Sequence, residues 1–579
     1  MFYPFFIIFN LKWQISIEVK WILLYYWFKF NFVEGKMKTF YAKDYNILKE
    51  KDITKDLISV LEEIKNTDGE KELIFESGNY IIDADYCTKE MLYITNTVGD
   101  NEFSADETPH ANTIALYLKG IEDLTIKGNG AIFVIDGKIS NMAIIDCKNI
   151  TIDSVEFRHA NPDMHELKVI KKSLFYVDYE IDSNSNYVVE DDKIFFYGKG
   201  YKSAINKDAL TSWWNGVIKE KTPNKIKRGR HPLANAIKIK EIKDRVIRAY
   251  YPCTSRFDLN DRFYVYDVRR QFVGIFADNS ENIVLSNVNQ RFNYGLALVA
   301  QNCENITVDH CEFAPEKGSV RKVASVADFL HICMCRGDIK VTNSNFSGAG
   351  DDCLNVHGIH FKIKDVTDNK ITVRFMHKQA HGFCPIRKGD TIAFIDPQTL
   401  LENGTAKVEN ATLKNEYEIE LQLDSTEKAV AGKVIEDTSA CANVLFENNT
   451  LNRIITRGIL LTTRGKVVVK NNHFMSNTMS GVLLSDDAKS WYESGMCKDV
   501  TIEGNTFDYC GETPILIKPE NLKHEGAVHK NITIKNNTFK KYDGACIFAK
   551  SSDNITITGN KFSNKNHLKT KNCTNVTID

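Results

Sequence analysis

The sequence lacks the cysteine spacing of a zinc ribbon or a disulfide scaffold. Its 579 residues include 14 cysteines, but they are scattered, and the closest two are Cys333 and Cys335. Structural zinc sites and redox motifs use a pair separated by two residues, and no such pair occurs. Most of these cysteines are therefore predicted to be small core residues.

The chain also lacks an excess of charge of either sign. It carries 74 basic and 76 acidic residues, a net charge of −2. No electrostatic attraction to nucleic acid or to an anionic membrane is predicted, and a neutral partner fits at least as well. With 43% hydrophobic and 26% charged residues, the composition is that of a soluble globular protein with a large core and more than one domain.

Apolar runs long enough to cross a bilayer are missing from residues 1–36. This segment is rich in aromatics, but Lys12, Glu18, Lys20 and Lys29 interrupt it. It also lacks the basic start and small-residue cleavage site of a secretory signal. Either Met37 is the true start, or this is an atypical export or membrane-associating segment, so localisation stays open.

A repeated segment organises the rest of the chain. Examples are "NITIDSVEF", "NITVDHCEF", "KVVVKNNHF", "DVTIEGNTF" and "NITITGNKF", with later copies 23, 32 or 33 residues apart except for one step of 105. Each copy alternates β-branched with polar residues, then has an Asn-containing turn and a Phe. This pattern predicts an all-β fold, a right-handed parallel β-helix, rather than a sandwich or propeller.

Two stretches interrupt the repeat and divide the chain. We predict two inserted small β-barrel-like domains, because strand and turn signals persist there without the coil pattern. Helical spacing over residues 52–66 predicts a helix that caps the first coil. The predicted divisions are an atypical segment 1–36, cap and first coils 37–160, an insertion 161–268, coils 269–360, an insertion 361–436 and C-terminal coils 437–579.

Three aspartates are predicted to lie on neighbouring coils. Asp328 precedes Asp351 by 23 residues, a step found elsewhere in the repeat. Stacked strands lie about 4.8 Å apart, so Asp328 should lie on the coil below Asp351 and Asp352. Clustered carboxylates repel one another, which raises at least one pKa and favours an acid beside a base.

The alternation of "DDCLNVHG" bears on which way these acids point. It places Asp351, Cys353, Asn355 and His357 on one side, with Leu354 and Val356 facing the core. Asp352 shares the core parity, so we expect either a bend that turns it outward or a buried acid with partners. Inverting hydrolysis of a glycosidic bond needs an acid and a base, which these aspartates could supply. A polar turn and a calcium site are the alternative interpretations of the same residues.

Several long motifs resemble the α-1,3-galactosidases of glycoside hydrolase family 110. They are "GLALVAQNCENITVDHCEFAP", "ADFLHICMCRGDIKVTNSNFSGAGDDCLNVHG", "RGILLTTRGKVVVKNNHF" and "GVLLSDDAKSWYESGMCKDVTIEGNTF". The resemblance implies exo-acting, inverting, metal-independent release of terminal α-1,3-linked galactose from blood-group B or linear α-galactosyl glycans. The resemblance implies no cofactor, and it implies a secreted or periplasmic protein. Asp351 matches the proton donor, and Asp328 and Asp352 match the pair that activates water.

Further residues around the acids are candidates for substrate binding. We expect the two histidines and Asn355 beside the acids to bind sugar hydroxyls, Trp491 to stack on a sugar face, and two arginines to lie in the cleft. The full candidate set is His331, Asn355, His357, Arg457, Arg464, Asp487, Trp491, Tyr492 and Glu493. Packing, loop structure and surface ion pairing are the competing interpretations of these residues.

Rival functions remain open. A polygalacturonase-like inverting hydrolase shares the Asp and Asp-Asp-Cys arrangement, but its Arg-Ile-Lys is absent and "QAHGFCP" only partly matches its Gly-His-Gly. A non-catalytic β-helical glycan-binding protein would leave the aspartates dispersed, and a pectate-lyase-like eliminase would need calcium. The expected partner is a glycan with terminal α-galactose. No nucleic acid and no clear membrane partner is expected, and both a monomer and a homo-oligomer are compatible with the sequence.

Overall fold

Two large parallel sheets stack along one axis to form the right-handed parallel β-helix. The computed structural model describes residues 37–97, 99, 108, 110–205, 215–219, 226–229, 232–233, 235–266, 269–319, 321–565 and 567–579. The segment 1–36, with its two predicted origins, lies outside the described residues. Among the residues described, no helix is long and apolar enough to cross a membrane.

The first sheet contains 21 strands and contributes two strands to most coils. Ile283 pairs with Ile306 and Ile306 with Ile339, as the repeat predicts. The strands are Lys38–Tyr41, Lys71–Ile74, Gly78–Asp83, Glu122–Asp136, Lys148–His159, Glu281–Ser286, Asn289–Gln290, Glu304–Asp309, Glu312–Phe313, Arg336–Thr342, Asn345–Ala349, Asn443–Glu447, Thr450–Ile454, Lys466–Lys470, His473–Asn477, Asp499–Glu503, Thr506–Asp508, His529–Lys535, Thr538–Lys540, Ser552–Thr558 and Thr574–Ile578.

The second sheet has 13 strands and supplies the remaining side of each coil. Its strands are mostly parallel, and their inward residues fill the same core as those of the first sheet. The strands are Thr88–Met91, Ala111–Lys119, Ser140–Ile145, Ile275–Asp278, Leu298–Gln301, Leu330–Cys333, Leu354–Ile359, Ile459–Thr462, Val482–Leu484, Glu493–Ser494, Ile515–Ile517, Ile547–Lys550 and Leu568–Lys571.

The repeated Asn and Phe residues form ladders along the axis. The backbone N–H of Asn449 donates to the side-chain oxygen of Asn472 at 2.8 Å. The backbone N–H of Asn472 donates in the same way to the side-chain oxygen of Asn505 at 2.8 Å. The preceding Asn471 adopts a φ of +55°, the left-handed conformation that the sharp turn requires. The ring centroids of Phe474 and Phe507 are stacked 4.8 Å apart. The turn residues therefore tie each coil to the next.

A helix covers the start of the β-helix. It spans Thr54–Lys65, within the predicted range, and Leu57, Val60 and Ile64 are buried on its inner face. Short 3-10 turns at Ala42–Tyr45 and Ala84–Tyr86 flank the same end. The helix shields the apolar interior of the first coil from water.

The first insertion is built from antiparallel strands around a core of its own. Leu167, Tyr179 and Phe196 belong to that core. A seven-stranded sheet contains Met164–Lys172, Tyr176–Ile181, Asn215–Lys219, Ile226–Gly229, Lys238–Lys243, Val246–Tyr250 and Asp261–Tyr266. A three-stranded sheet contains Tyr187–Glu190, Lys193–Gly198 and Tyr201–Ile205.

The second insertion is a closed six-stranded barrel. Its strands are Phe361–Thr367, Lys370–Arg374, Thr391–Ile395, Glu402–Asn415, Glu418–Leu423 and Val434–Asp437. It leaves the β-helix directly after the strand Leu354–Ile359 and returns before Asn443–Glu447. The loop after Lys370–Arg374 is thereby brought next to the coil that carries the paired aspartates, and it lines a cavity with His331 and His357.

Candidate active site

Three coils place a charged side chain at the same point, just before a strand of the second sheet. Leu330 pairs with Leu354, and Leu354 pairs with Ile459. Two positions before these paired residues lie Asp328, Asp352 and Arg457, which we call the column. The column arises because in-register parallel strands stack equivalent positions directly above one another.

The spacing of this coil differs by one residue from the prediction. The pairing of Leu330 with Leu354 is a step of 24, so Asp352, rather than Asp351, lies directly above Asp328. Other coils step by 23 on both sheets, for example between Ile283 and Ile306 on the first and between Ile459 and Val482 on the second, so the extra residue belongs to this coil. The backbone agrees, since the N–H of Phe329 donates to the carbonyl of Asp352 at 2.9 Å.

Asp352 combines the two predicted alternatives, since a bend turns it out of the apolar core and it is nevertheless buried with partners. The strand begins at Leu354, and Cys353 lies in the β-helix core together with Leu354 and Val356. The prediction that Cys353 shares the outward side of Asp351 is therefore wrong, because strict alternation starts only after the bend. Gly350 permits this bend: a Cβ there would lie 2.1 Å from the carbonyl oxygen of Val326.

Asp352 is buried and accepts four hydrogen bonds from the next coil. Oδ1 accepts from the Thr456 hydroxyl at 2.5 Å and from the Arg457 backbone N–H at 3.0 Å. Oδ2 accepts from Nε and Nη2 of Arg457 at 3.1 and 2.5 Å. Burial raises the pKa of Asp352 to about 7, against the lowering effect of Arg457. Four donors point at its two oxygens, and a proton on either oxygen would face one of them, so Asp352 is the carboxyl of this cluster whose contacts most favour the ionised form.

Asp328 is equally buried, but none of the described arginines bonds to it. Its Oδ2 lies 3.0 Å from Nδ1 of His331 and 3.5 Å from Nδ2 of Asn96. Burial and the neighbouring Asp351 raise the pKa of Asp328 to about 8, and Arg270 and Arg457 only partly oppose them. Asp328 is therefore the carboxyl of this cluster that most readily holds a proton at neutral pH.

Asp351 is the most accessible of the three acids. Its side chain retains 19% of its exposure, and its Oδ2 lies 3.7 Å from Nη2 of Arg270. Another nitrogen of Arg270, Nη1, donates to Oδ1 of Asn96 at 3.2 Å. One guanidinium thus connects Asp351 with the amide that faces Asp328 and His331.

The three aspartates open into a groove of about 480 Å³. Such a volume lies within the range of sites that bind one small ligand. Of the predicted residues, those that line it are Asp328, Asp351, Asp352, Asn355, Arg457, Asp487, Trp491 and Glu493. The structure therefore brings all three acids and most of the substrate-binding candidates to one place.

Three other candidates line a small cavity next to the groove. They are His331, His357 and Tyr492, and this cavity also contacts the second barrel. The two histidines are buried and bond to each other, with their Nε2 atoms 3.0 Å apart. Their polar neighbours are Asp328, the Asn96 amide and the Gly358 carbonyl, and Nε2 of His357 lies 3.8 Å from Oε1 of Glu493. The structure therefore places both rings behind the acids, and their binding of sugar hydroxyls stays a prediction.

Two residues predicted to bind substrate, Arg464 and Asp487, make contacts within the protein instead. Arg464 donates to Glu402 at 2.8 Å and to the buried Glu436 at 2.7 Å, both in the second barrel. It therefore fastens the barrel to the β-helix instead of lying in the groove. Asp487 does line the groove, but its carboxylate accepts the backbone N–H groups of Lys489 and Trp491, at 2.9 and 2.6 Å. It shapes the loop that carries Trp491.

Trp491 forms an aromatic wall together with the second barrel. The residue is 46% exposed, and its ring stacks on the ring of His377, with centroids 4.4 Å apart. His377 belongs to the barrel loop that follows Lys370–Arg374. Next to this wall, Oε1 of Glu493 accepts from the Asn355 amide at 3.1 Å. An aromatic face beside polar groups is typical of a site that binds the apolar side of a sugar.

Four contributors were missed by sequence reasoning: Asn96, Arg270, Thr456 and His377. Asn96 and Arg270 precede regular coils, and His377 lies in an insertion, so no repeat aligns them with the acids. Only Thr456 carried a usable signal, because it is adjacent to the predicted Arg457. No cluster of three potential metal ligands is found among the described residues.

Comparison with known proteins identifies relatives over most of the chain. α-1,3-Galactosidase A of Bacteroides thetaiotaomicron is 34% identical over 521 residues, covering 87% of this chain and 89% of that protein. α-1,3-Galactosidase A of Akkermansia muciniphila is 32% identical, covering 80% and 77%. Residues 370–429 match the family described as GLAA-B beta-barrel domain II. The family 28 exopolygalacturonase of Yersinia enterocolitica has a TM-score of 0.40 at 10% identity, over 93% of this chain and 78% of that one.

A parallel β-helix with clustered carboxylates, together with these relatives, defines a glycoside hydrolase. More specifically, the chain belongs to the α-1,3-galactosidase family, glycoside hydrolase family 110. The resemblance recognised in the sequence motifs is thereby confirmed, as are the all-β class and the parallel β-helix.

Proposed function

We propose that this protein is an exo-acting, inverting α-1,3-galactosidase. Its substrates would be glycans that end in α-1,3-linked galactose, of the blood-group B or linear α-galactosyl type. The observation that carries the proposal is the meeting of Asp328, Asp351 and Asp352 in one groove. The bounded groove volume, about 480 Å³, supports removal of a terminal sugar rather than binding along a polymer.

Asp351 is the acid in this proposal. Its carboxyl is the most accessible of the three and faces the groove beside Arg270. It donates its proton to the glycosidic oxygen as the bond to the anomeric carbon breaks. A water attacks that carbon from the opposite face, so the released galactose has the β configuration.

Asp328 and Asp352 share the activation of that water. Asp352 accepts four donors and stays ionised, so its negative charge supports the oxocarbenium-like transition state. Asp328 lines the groove, and its Oδ1 accepts no hydrogen bond from the residues described. That oxygen is available to take the proton of the attacking water.

The reaction is tested by offering three substrates in parallel. The protein is incubated with an α-1,3-galactoside, an α-1,4-galactoside and polygalacturonate, and the first sugar released is followed by NMR. We expect β-galactose from the α-1,3-galactoside alone. Initial α-galactose would refute inversion, and release of galacturonate would refute the substrate class and favour the polygalacturonase-like alternative.

The acid assignment is tested with Asp351→Asn. The amide cannot donate a proton to the leaving oxygen, so kcat/KM should fall by at least about 100-fold. The fold should remain, because Asp351 is not part of the core. The exposed Asp338→Asn is the matched control and should keep wild-type activity. Wild-type kcat/KM in Asp351→Asn would remove the assignment.

A further inference from the structure

A continuous hydrogen-bonded chain runs from Asp328 away from the groove. Nδ1 of His357 lies 2.7 Å from the carbonyl oxygen of Gly358. The Nε2 atoms of His357 and His331 are 3.0 Å apart, and Nδ1 of His331 is 3.0 Å from Oδ2 of Asp328. The chain connects four groups and ends on a backbone carbonyl that can only accept.

That terminal carbonyl determines the positions of the protons. Because Gly358 can only accept, Nδ1 of His357 carries the hydrogen. A neutral His357 then has a bare Nε2, so the hydrogen between the two rings belongs to Nε2 of His331. A neutral His331 in turn has a bare Nδ1, and the contact at 3.0 Å requires a hydrogen on Asp328. Burial lowers the pKa of His331 to about 4 and also lowers the pKa of His357, which favours the neutral rings.

Asn96 supports the same arrangement. Its Oδ1 accepts from Nη1 of Arg270 at 3.2 Å, which fixes the orientation of the amide. Nδ2 of Asn96 therefore points at His331, 3.3 Å from Nδ1. An amide N–H facing a ring nitrogen favours the unprotonated form of that nitrogen. The resting site thus has a protonated Asp328 and a neutral His331.

A protonated carboxyl can act as a base only if it releases the proton it holds. We propose that His331, held in place by His357, stores the Oδ2 proton of Asp328 while Asp328 takes a proton from the attacking water. This inference rests on the proposed function, since it concerns the base of that reaction. His331 acts through Asp328 and is a positioning residue, not a group that touches the sugar.

The protons balance in this step. The water forms its bond to the anomeric carbon and loses one hydrogen to Oδ1 of Asp328. The hydrogen on Oδ2 moves to Nδ1 of His331, which becomes an imidazolium. The glycosidic oxygen receives the proton of Asp351, so the total charge of the site is unchanged. Solvent in the groove returns the stored proton to Asp351 after the products leave.

The surroundings of His331 favour this transfer at the moment it is needed. Glu493 and Asp351 raise the pKa of His331, whereas Arg270 lowers it. When Asp351 becomes a carboxylate during the reaction, it therefore stabilises the new imidazolium. The charged or titratable groups facing Asp328 and His331 are Arg270, Asp351, Asp352, His357, Arg457 and Glu493.

The test is the pH dependence of kcat/KM in His331→Asn. Asparagine keeps a hydrogen-bonding group near Asp328 but cannot be protonated. In the wild type, the acid limb reports protonation of His331, with a pKa of about 4. In the variant, Asp328 must itself be ionised, and its pKa is about 8. The ratio of variant to wild-type kcat/KM should rise about 50-fold from pH 6 to pH 8, because the ionised fraction of Asp328 grows by that factor.

His357→Gln is the matched variant. Its amide oxygen can still accept the Nε2 hydrogen of His331, so we expect the wild-type pH profile. A His331→Asn ratio that is constant with pH would overturn the inference, because a purely structural role lowers activity equally at every pH. A wild type that releases no galactose would instead refute the proposed function.

The hydrogen positions can be measured without catalysis. Nitrogen NMR of the protein labelled with ¹⁵N-histidine should show Nε2–H at His331 and Nδ1–H at His357 at pH 7, assigned by comparison with the two variants. The opposite tautomer of His331 would overturn the inference whatever the activity of His331→Asn.

Discussion

The buried acid Asp328 should make the protein less stable as the pH rises. Burial and the nearby Asp351 raise its pKa from 3.8 to about 8. A carboxyl with a raised folded-state pKa contributes full stability below its unfolded value, and this contribution is lost as the pH rises through the folded value. Asp328→Asn has the shape of the protonated acid and cannot ionise. We therefore expect the variant to be more stable than the wild type at pH 8 and nearly equal to it at pH 4.

The size of this stability difference between Asp328→Asn and the wild type follows from the change in the pKa of Asp328 on folding. One pKa unit corresponds to about 1.4 kcal/mol, so a rise from 3.8 to about 8 has an upper limit of about 6 kcal/mol. The carboxyls of Asp328 and Asp352 interact, so part of this energy belongs to the pair rather than to Asp328 alone, and we expect on the order of 2–4 kcal/mol at pH 8. Activity should be lost at the same time, because the amide cannot take a proton from water.

Urea unfolding at pH 4.5, 6, 7 and 8 measures the difference directly. The free energy of unfolding of Asp328→Asn minus that of the wild type should grow steadily over this range. Asp338→Asn is the control: Asp338 is about half exposed and its pKa is lowered, so its replacement should change stability little. A difference for Asp328→Asn that is flat with pH, or that favours the wild type at pH 8, would refute the burial argument.

Three further predictions follow from the groove and its supports. Arg457→Met removes the counter-ion of the buried Asp352 and should cost about 3–5 kcal/mol in urea unfolding, whereas Arg453→Met, whose partner is the Ser347 hydroxyl, should cost about 1 kcal/mol. Equal losses would contradict the paired-charge interpretation. Trp491→Ala should raise KM roughly fivefold, about 1 kcal/mol, with kcat nearly unchanged, and an unchanged KM would remove the sugar-stacking role. Chelation with EDTA should leave kcat/KM unchanged, and a loss restored by calcium would favour the eliminase alternative.

The β-helix was predictable because the residues that form each turn and each core contact recur at a fixed spacing in the sequence. Asn residues that accept positive φ and Phe residues that return to the core recur at most coils, and both form ladders in the structure. The meeting of Asp328 with the Asp351 and Asp352 pair followed from the coil length alone. The exact alignment did not, because this coil takes 24 residues on the second sheet, whereas another coil of the same sheet, from Ile459 to Val482, takes 23.

The surroundings of the acids were harder to predict, because they come from segments outside the repeat. Asn96 and Arg270 reach Asp328 and Asp351 from irregular chain, and His377 reaches Trp491 from the second barrel. Alternation also failed at Cys353, where the strand had not yet begun. The histidine pair was recognised near the acids, but only three-dimensional geometry shows that it bonds to Asp328 instead of lining the groove.

The long interruption between Asp352 and its counter-ion has a simple energetic account. Arg457 follows Asp352 by 105 residues, whereas the next coil is reached in 23. Closing the longer loop costs only about 1.3 kcal/mol more, since the entropy of closure grows with the logarithm of length. Losing a buried counter-ion costs about 3–5 kcal/mol. The pairing of Asp352 with Arg457 is therefore worth more than the cost of inserting the barrel between their coils. In that position the barrel brings His377 to the aromatic wall beside the acids.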